Sequence, residues 1–193
     1  MNTTQNILTH NELASIQQLV GDTMQLIAGR SFWNPTTTMD AIIVTSATVV
    51  TIWGDSEDLA FEGFEDTYSI IHVSDGDLGG LEEAKTKGEI YLQHAGQVIS
   101  GVNIVRETIT EKRQGTPTWV YETDIAIVLN LENVRLCIAK SSHHDEVLKL
   151  LFAPLSSELA IPEVIGGWRP ELGVEYERST HVLPLEALLE ADD

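Results

Sequence analysis

The stretch IAIVLNLENVRLCIA, residues 125–139, decides the fold of this chain. Every second residue is apolar on either side of Glu132 and Asn133, first Ile125, Ile127, Leu129 and Leu131, then Val134, Leu136 and Ile138. Successive side chains of a strand point to opposite faces, so each series lies on one face and the two can oppose each other. Glu132-Asn133 suits the tight turn between them. The stretch therefore predicts an antiparallel β-hairpin.

Strand composition continues upstream of this hairpin. The segments 89–93, 97–111 and 119–131 are strand candidates. They are joined by short connections at 94–96 and 112–117, which are rich in turn-forming residues. Short connections favour antiparallel neighbours, so this part of the chain predicts a meander.

A second β region lies at 41–53, where Ile, Val and Thr fit a pleated surface. It is compatible with one long strand or with a hairpin broken near Ser46 and Ala47. Its apolar residues occur on both parities, which predicts a central position with both faces covered. Residues 174–182 also have strand composition, and Pro184 is placed to open a short terminal helix.

Two further helices are predicted, one at the N-terminus and a shorter one after the hairpin. Thr9 and Glu12 form an S/T-x-x-E capping box, and apolar residues at helical spacing over 10–28 predict an amphipathic helix of about five turns, ended by Gly29. A shorter helix is predicted near 143–153, with serines before it as N-cap, acidic residues in its first turn and a proline at its end.

These elements predict an α+β fold for residues 1–193 as a single domain. Its mainly antiparallel, curved or barrel-like sheet is expected to pack against the N-terminal amphipathic helix and the shorter helix. The 42% apolar and 21% charged content is that of an ordinary packed protein. No internal repeat, low-complexity tract or linker divides the chain.

The chain is strongly acidic, and the charge is unevenly placed. The formal net charge is −19; residues 31–84 contain eleven acidic residues and no Lys or Arg, while 85–157 contain eight of each sign. Residues 158–193 contain nine acidic residues against two Arg. Such a surface repels phosphate, so nucleic acid and anionic membranes are not expected as partners, whereas a basic protein is attracted. Solubility alone and a salt-adapted host are the alternative reasons for the acidity.

Aromatic residues lie inside the first acidic block. They combine apolar anchors with charge, which is typical of a surface for a cationic partner. The predicted binding residues are Glu57, Asp58, Phe61, Glu62, Phe64, Glu65 and Asp66. The alternative is that these aromatics tuck into the core of the protein itself.

The run His143-His144-Asp145-Glu146 is rich in groups that bind metal or transfer protons. His143 and His144 are the candidate metal ligands. Consecutive residues of a helix point about 100° apart, however, so the two imidazoles do not easily share one ion, and a helix N-terminus favours carboxylates without any ligand. Asp124 offers a further carboxylate that either caps a turn or lines a pocket with Glu122.

Other chemistry is not signalled locally. The common phosphate-loop, dinucleotide, zinc-protease and serine-hydrolase motifs do not occur in the sequence, and no cofactor is predicted. The 75–80 loop begins like a calcium loop but has Thr86 where the bidentate glutamate is needed. Cys137 is the single cysteine and lies in an apolar run, which favours a structural strand residue.

The expected location is the cytoplasm. One cysteine allows no internal disulfide, the first residues lack the pattern of a signal or transit peptide, and no apolar window is long enough to span a bilayer.

The acidic block leads to a first hypothesis, a noncatalytic protein that binds a basic protein in a toxin-neutralising or regulatory role. The alternative is a small-molecule or metal-dependent enzyme using His143, His144, Asp145 and Glu146. A homo-oligomeric structural protein is a third possibility.

Overall fold

The computed structural model describes residues 2–29, 32–34, 36–61, 64–87, 89–91, 94–157, 161 and 173–191, and for residues 60, 61, 64–66 and 91 it describes the backbone alone. Within these residues the chain is mainly β, with short helices α1 (His10–Gln17), α2 (Leu78–Lys87) and α3 (Leu185–Ala191). The strands are β1 (Asn2–Asn6), β2 (Met24–Ala28), β3 (Thr37–Thr38), β4 (Asp40–Thr45), β5 (Val49–Phe61), β6 (Phe64–Asp75), β7 (Ile90–Tyr91), β8 (Ile99–Arg113), β9 (Thr116–Leu131), β10 (Val134–Lys140), β11 (Leu148–Pro154) and β12 (Val174–Pro184).

The larger sheet has seven strands in the order β12-β8-β9-β10-β11-β3, with β1 beside β9. The predicted hairpin of β9 and β10 is confirmed, with Leu136 opposite Leu129 and Ile138 opposite Ile127. β10 pairs with the C-terminal half of β9, whereas β1 runs parallel to residues 119–123 of the same edge. The edge of β9 thus changes partner near Asp124.

One residue of the hairpin departs from the predicted alternation. Ile125 has no partner on β8, because Asp124 pairs with Arg106 and Ala126 with the preceding Val105. The extra residue is a β-bulge, which reverses the facing of the side chains that follow it. Ile125 consequently packs beside Val105 and Ala126, while Ile127 belongs to the main core on the other face.

The smaller sheet has the order β6-β5-β4-β2-β7. The region 41–53 is the broken hairpin rather than one long strand, since β4 ends at Thr45 and β5 begins at Val49. β4 is central and covered on both faces, as predicted: Ile43 belongs to the main core, and Ile42 packs against α2. The main core joins residues of both sheets and of α1.

The N-terminal helix is shorter than predicted. Its capping box is confirmed, because the Thr9 side chain accepts from the Glu12 backbone while the Glu12 side chain accepts from the Thr9 backbone. The helix ends at Gln17, however, and Gly21 has φ 86°, a left-handed conformation that suits glycine and breaks the element. Residues 24–28 form β2, since Ile27 pairs with Ile43 on the buried β4.

The predicted helix near 143–153 is wrong. Residues 141–147 form a loop, and β11 follows, with Leu148, Leu150 and Phe152 opposite Lys140, Ile138 and Leu136. These three residues have the two-residue spacing of a strand, but together with the apolar residues next to them they also fit the spacing of a helix. Pairing with β10 decides between the two patterns. With short helices only, the fold is mainly β instead of α+β. The two sheets remain open along the paths described, which gives no support to a barrel.

Candidate functional site

The acidic segment after residue 53 is part of a long β-hairpin. Pairing of β5 with β4 stops at Trp53, while pairing of β5 with β6 continues to the pair Phe61 and Phe64. We call residues 54–61 and 64–70 the acidic hairpin. Its carboxylates Asp55, Glu57 and Asp58 are exposed.

The predicted binding residues are all in or next to this hairpin. Glu57 pairs with Tyr68, and Asp58 pairs with Thr67, whose hydroxyl donates to the Asp58 carboxylate at 2.7 Å. Glu62 lies outside the described residues. For Phe61, Phe64, Glu65 and Asp66 only the backbone, which belongs to β5 and β6, is described.

The hairpin is held against the larger sheet by aromatic packing. Tyr68 packs with Ile109, Trp119 and Tyr121, and Leu59 lies against the same cluster. The Tyr68 and Tyr121 ring centroids are 5.3 Å apart, and Tyr121 stacks on Trp119 at 5.6 Å with nearly parallel planes. Trp119 is therefore a core residue. Asp55 and Glu57 alternate with Asp58 along β5, so the three exposed carboxylates lie on both faces of the hairpin.

The His143-His144-Asp145-Glu146 run lies in the 141–147 loop, and its side chains diverge. His143 Nε2 is 2.8 Å from Glu107 Oε2, while His144 Nδ1 is 3.0 Å from the Thr67 carbonyl oxygen. Asp145 accepts from the Ser141 hydroxyl and the Val147 backbone, and Glu146 accepts from the Ser56 hydroxyl. The structure does not bring His143 and His144 together.

Other histidines do not join them. His72 contacts Glu12 at 3.0 Å, His94 lies against Phe152, and His181 is exposed on β12. In the part of the chain that the structure describes, no three His, Cys, Asp or Glu side chains are grouped to hold a metal ion.

A buried ionic network lies beside the hairpin, where β9 changes partner. We use this name for Glu107, Asp124, Lys140 and His143 together with Arg106 and Arg178. Lys140 has no exposed surface, and its Nζ donates to the Ser69 carbonyl of β6 at 2.5 Å and to Thr123 Oγ1 of β9 at 2.7 Å. This one amine thus links the two sheets.

The two carboxylates of the network have different partners. Glu107 accepts from Arg178 Nε at 2.8 Å and lies 2.8 Å from His143 Nε2. Asp124 accepts from Arg106 Nε at 2.8 Å and Nη2 at 3.1 Å, and also from the Leu8 backbone at 2.8 Å. Buried charges need such partners, because an unpaired one is strongly unfavourable in a low-dielectric interior.

Burial shifts the protonation of the network. It lowers the pKa of Lys140 to about 7, although the carboxylates of Asp124 and Glu107 oppose the shift. It also lowers the pKa of His143, against the favourable effect of Glu107. For Glu107 burial acts in the upward direction, but His143 and Arg178 together hold its pKa below the ordinary value. Near neutral pH the network therefore contains an amine close to its titration midpoint.

The sequence signals for this network were weak. The two carboxylates suggested to share a pocket have separate partners: Glu122 accepts from Gln5 at 2.6 Å, and Asp124 accepts from Arg106 at 2.8 Å. Lys140 ends the apolar run of β10, where a lysine is normally read as the edge of a strand. Glu107 is two residues from Ile109 on β8, so the two side chains lie on the same buried face. This alternation was the one signal in the sequence that the Glu107 carboxylate is buried.

The remaining candidates have structural roles. Burial raises the pKa of Cys137 to about 12, which keeps its thiol protonated. Asp77 accepts from the Gly80 backbone at 2.8 Å at the start of α2, so the loop resembling a calcium site serves as a helix cap.

Comparison with protein-family models, with curated proteins and with solved structures finds no match to this chain. Among the helices described, none has the length and apolar character needed to cross a membrane. Function must therefore be inferred from the side chains themselves.

Proposed function

We propose that the protein is a noncatalytic binding protein whose acidic hairpin binds a basic protein. The observation that supports this is the exposure of Asp55, Glu57 and Asp58 within four consecutive positions of β5. They lie in the segment 31–84, which has eleven acidic residues and no Lys or Arg. Their potentials add, which accelerates encounter with a positively charged surface.

The hairpin is braced at its base, which favours binding. The Gly54 amide donates to the Met39 carbonyl at 3.1 Å, and the Ser69 amide donates to the His143 carbonyl at 2.7 Å. The backbone of Glu146 crosses so close to Gly54 that a Cβ there would collide with it. Carboxylates on a preorganised element bind with less loss of conformational entropy than carboxylates on a loose loop.

A protein of this kind acts by covering a basic surface. A toxin-neutralising or regulatory role fits such a mode of action, since the partner loses access to its own anionic ligand. This role requires no catalytic group.

A pull-down from the host with a hairpin variant tests the proposal. The variant is D55N/E57Q/D58N, and the matched control, E175Q/E186Q/E190Q, removes the same charge from exposed positions on β12 and α3. We expect wild type and control to retain a basic protein at low ionic strength and to release it at high ionic strength, because exposed charges are screened by salt. The hairpin variant should not retain it.

Two outcomes contradict the proposal. Wild type that retains no basic protein at low salt rules out the partner. Equal loss of binding by the hairpin variant and the control shows that net charge alone is responsible, as expected if the acidity serves solubility.

A second candidate function is a small-molecule enzyme that uses the buried network. The observation in its favour is Lys140, whose pKa of about 7 would supply a neutral, nucleophilic amine beside His143 and Glu107. It needs an opening that admits a substrate. In the alternative based on metal, His143 or His144 would supply a ligand.

Brief reductive methylation with formaldehyde and cyanoborohydride as hydride donor, read by peptide mass spectrometry, tests this candidate. An accessible Lys140 should be modified at neutral pH before the exposed Lys85 and Lys87, because only the neutral amine reacts. Modification of Lys140 after all other lysines contradicts an open site. Metal analysis of protein purified without chelator, with zinc and manganese titrations, tests the metal version; no metal and no heat contradict it.

A further inference from the structure

A cleft of about 440 Å³ lies at the turn between β4 and β5, away from the buried network. It is lined by Gln18, residues 45–49, Asp75, Gly76 and Leu78. One wall is the β4–β5 turn, and the other is the end of β6 with the start of α2. The cleft is shallow, and a Cβ on Gly76 would collide with Val49, so the backbone of Gly76 packs directly against β5.

The polar side chains of the cleft already donate hydrogen bonds within its walls. Gln18 Nε2 donates to Asp75 Oδ1 at 3.0 Å, and Thr48 Oγ1 donates to Gln18 Oε1 at 3.3 Å. The hydroxyls of Thr45 and Ser46 both donate to Asp22 behind the turn. One N–H of Gln18 Nε2 and the second carboxylate oxygen of Asp75 remain for a ligand, and the Asp75 oxygen is the charged acceptor of the cleft.

The electrostatic character of the cleft is negative. Among the described lining residues there is no Lys or Arg. The bonds from Ser46 and Thr45 hold the pKa of Asp22 well below its usual range, so this carboxylate stays charged behind the wall. Asp77 accepts from Gly80 and so offsets the positive N-terminal end of α2.

The mouth also carries an apolar surface. Leu78 is 65% exposed, although large apolar side chains are usually buried. Val49 and Asp75 line the same cleft, so an aliphatic chain could cover the two apolar side chains while its polar end reaches the carboxylate. A ligand with an apolar stem and a donor-only cationic head fits this combination.

We infer that this cleft anchors an arginine side chain of the basic protein partner. Guanidinium has five N–H donors and no acceptor, and its flat, weakly hydrated face packs well on aliphatic groups. The inference rests on the proposed function, and it names the side chain that the partner must supply. The cleft and the acidic hairpin lie at opposite ends of β5, so the partner would be held at two places on one hairpin.

Titration with defined peptides tests the cleft separately from the proposed function. The probes are an acetylated octapeptide of alternating glycine and arginine and the same peptide with the neutral analogue citrulline. We expect the arginine peptide to shift the NMR amide signals of Thr48, Gly76 and Leu78, and the citrulline peptide to leave them unchanged. D75N should raise the Kd of the arginine peptide by about three- to fivefold, which is the effect of losing one exposed charge-assisted contact.

Matched variants separate a specific cleft from general attraction. L78S leaves the net charge unchanged and should weaken binding of the arginine peptide. E190Q removes one exposed charge from α3 and should have less than half the effect of D75N on the logarithm of Kd. D75N and E190Q with the same affinity would overturn the cleft and leave the proposed function standing. Absence of any binding of the arginine peptide to wild type would overturn the cleft, whereas the proposed function is judged by the pull-down with the hairpin variant. Equal binding of the citrulline peptide would overturn the charge argument.

Discussion

Lys140 is surrounded by groups that differ in how well their hydrogen bonds are satisfied. Thr123 Oγ1 accepts from its amine, whereas the buried Ser69 Oγ has no hydrogen-bond partner among the described residues. We therefore expect S69A to leave the free energy of unfolding unchanged or to raise it by up to about 1 kcal/mol, because it removes an unsatisfied hydroxyl. Urea denaturation at neutral pH measures this change.

T123V is the matched change on the other side of the amine. It removes the acceptor of a buried donor while keeping the shape of the side chain, so we expect a loss of about 1–3 kcal/mol. Equal effects of S69A and T123V would show that the contact between Lys140 and Thr123 contributes nothing to stability.

The titration of Lys140 predicts a pH dependence. Burial lowers its folded pKa to about 7, from an ordinary value of 10.5. From about pH 7 to about pH 9 the unfolded chain keeps this proton while the folded chain loses it, so stability should rise with pH by up to about 1.4 kcal/mol per unit. K140M removes the group and should remove the rise.

Urea denaturation of wild type and K140M across this range measures the difference. The upper limit of the pH range is set by Cys137. Burial raises its pKa to about 12 in the folded chain, whereas the thiol of the unfolded chain already ionises above about pH 9, its ordinary value being 9.0. Parallel pH profiles for the two proteins would show that Lys140 titrates normally in the folded chain.

At the scale of elements, the 141–147 loop fixes the position of the acidic hairpin. Gly54 lies where this loop crosses β5, and a Cβ there would collide with the Glu146 backbone. We expect G54A to cost about 1–3 kcal/mol of unfolding free energy through overpacking. Thermal unfolding measures the loss, and weaker binding of the basic partner should accompany it because the hairpin moves.

G101A is the control in a second long strand. A Cβ on Gly101 of β8 meets only Asn130, at 3.9 Å, so alanine has room and should leave stability unchanged or slightly higher. If G54A were as harmless as G101A, the loop would not brace the hairpin.

Two elements show where a periodic pattern misleads. Residues 24–28 continue the helical spacing of α1, but they pair with β4 and β7. Residues 148–152 include apolar side chains that also fit helical spacing, yet the segment is part of β11, which lies between β10 and β3. A short apolar segment satisfies both periods, and the strand that receives it decides the outcome.

For the whole molecule, the net charge of −19 predicts a salt-dependent stability. Repulsion among carboxylates disfavours the compact state, and salt screens it, so adding salt should raise the free energy of unfolding by on the order of 1 kcal/mol. Urea denaturation at several ionic strengths measures the slope. The variant E175Q/E186Q/E190Q should have a smaller slope, and a steeper slope for it would contradict self-repulsion.

The sequence by itself determined the local features of this protein. The hairpin at residues 125–139, the Thr9 capping box and the helix after Pro184 all depend on residues that are neighbours along the chain. The excess of acidic residues in 31–84 is likewise evident before any folding.

The tertiary structure alone decided how distant segments pair. β11 and β2 became strands because β10 and β4 offered them partners, and the buried network arose where β6, β8, β9 and β10 meet. Lys140 and the Ser69 carbonyl that accepts from it are 71 residues apart in the chain. The physical reason is that strand pairing and burial are set by non-local contacts, which alternation within one segment does not encode.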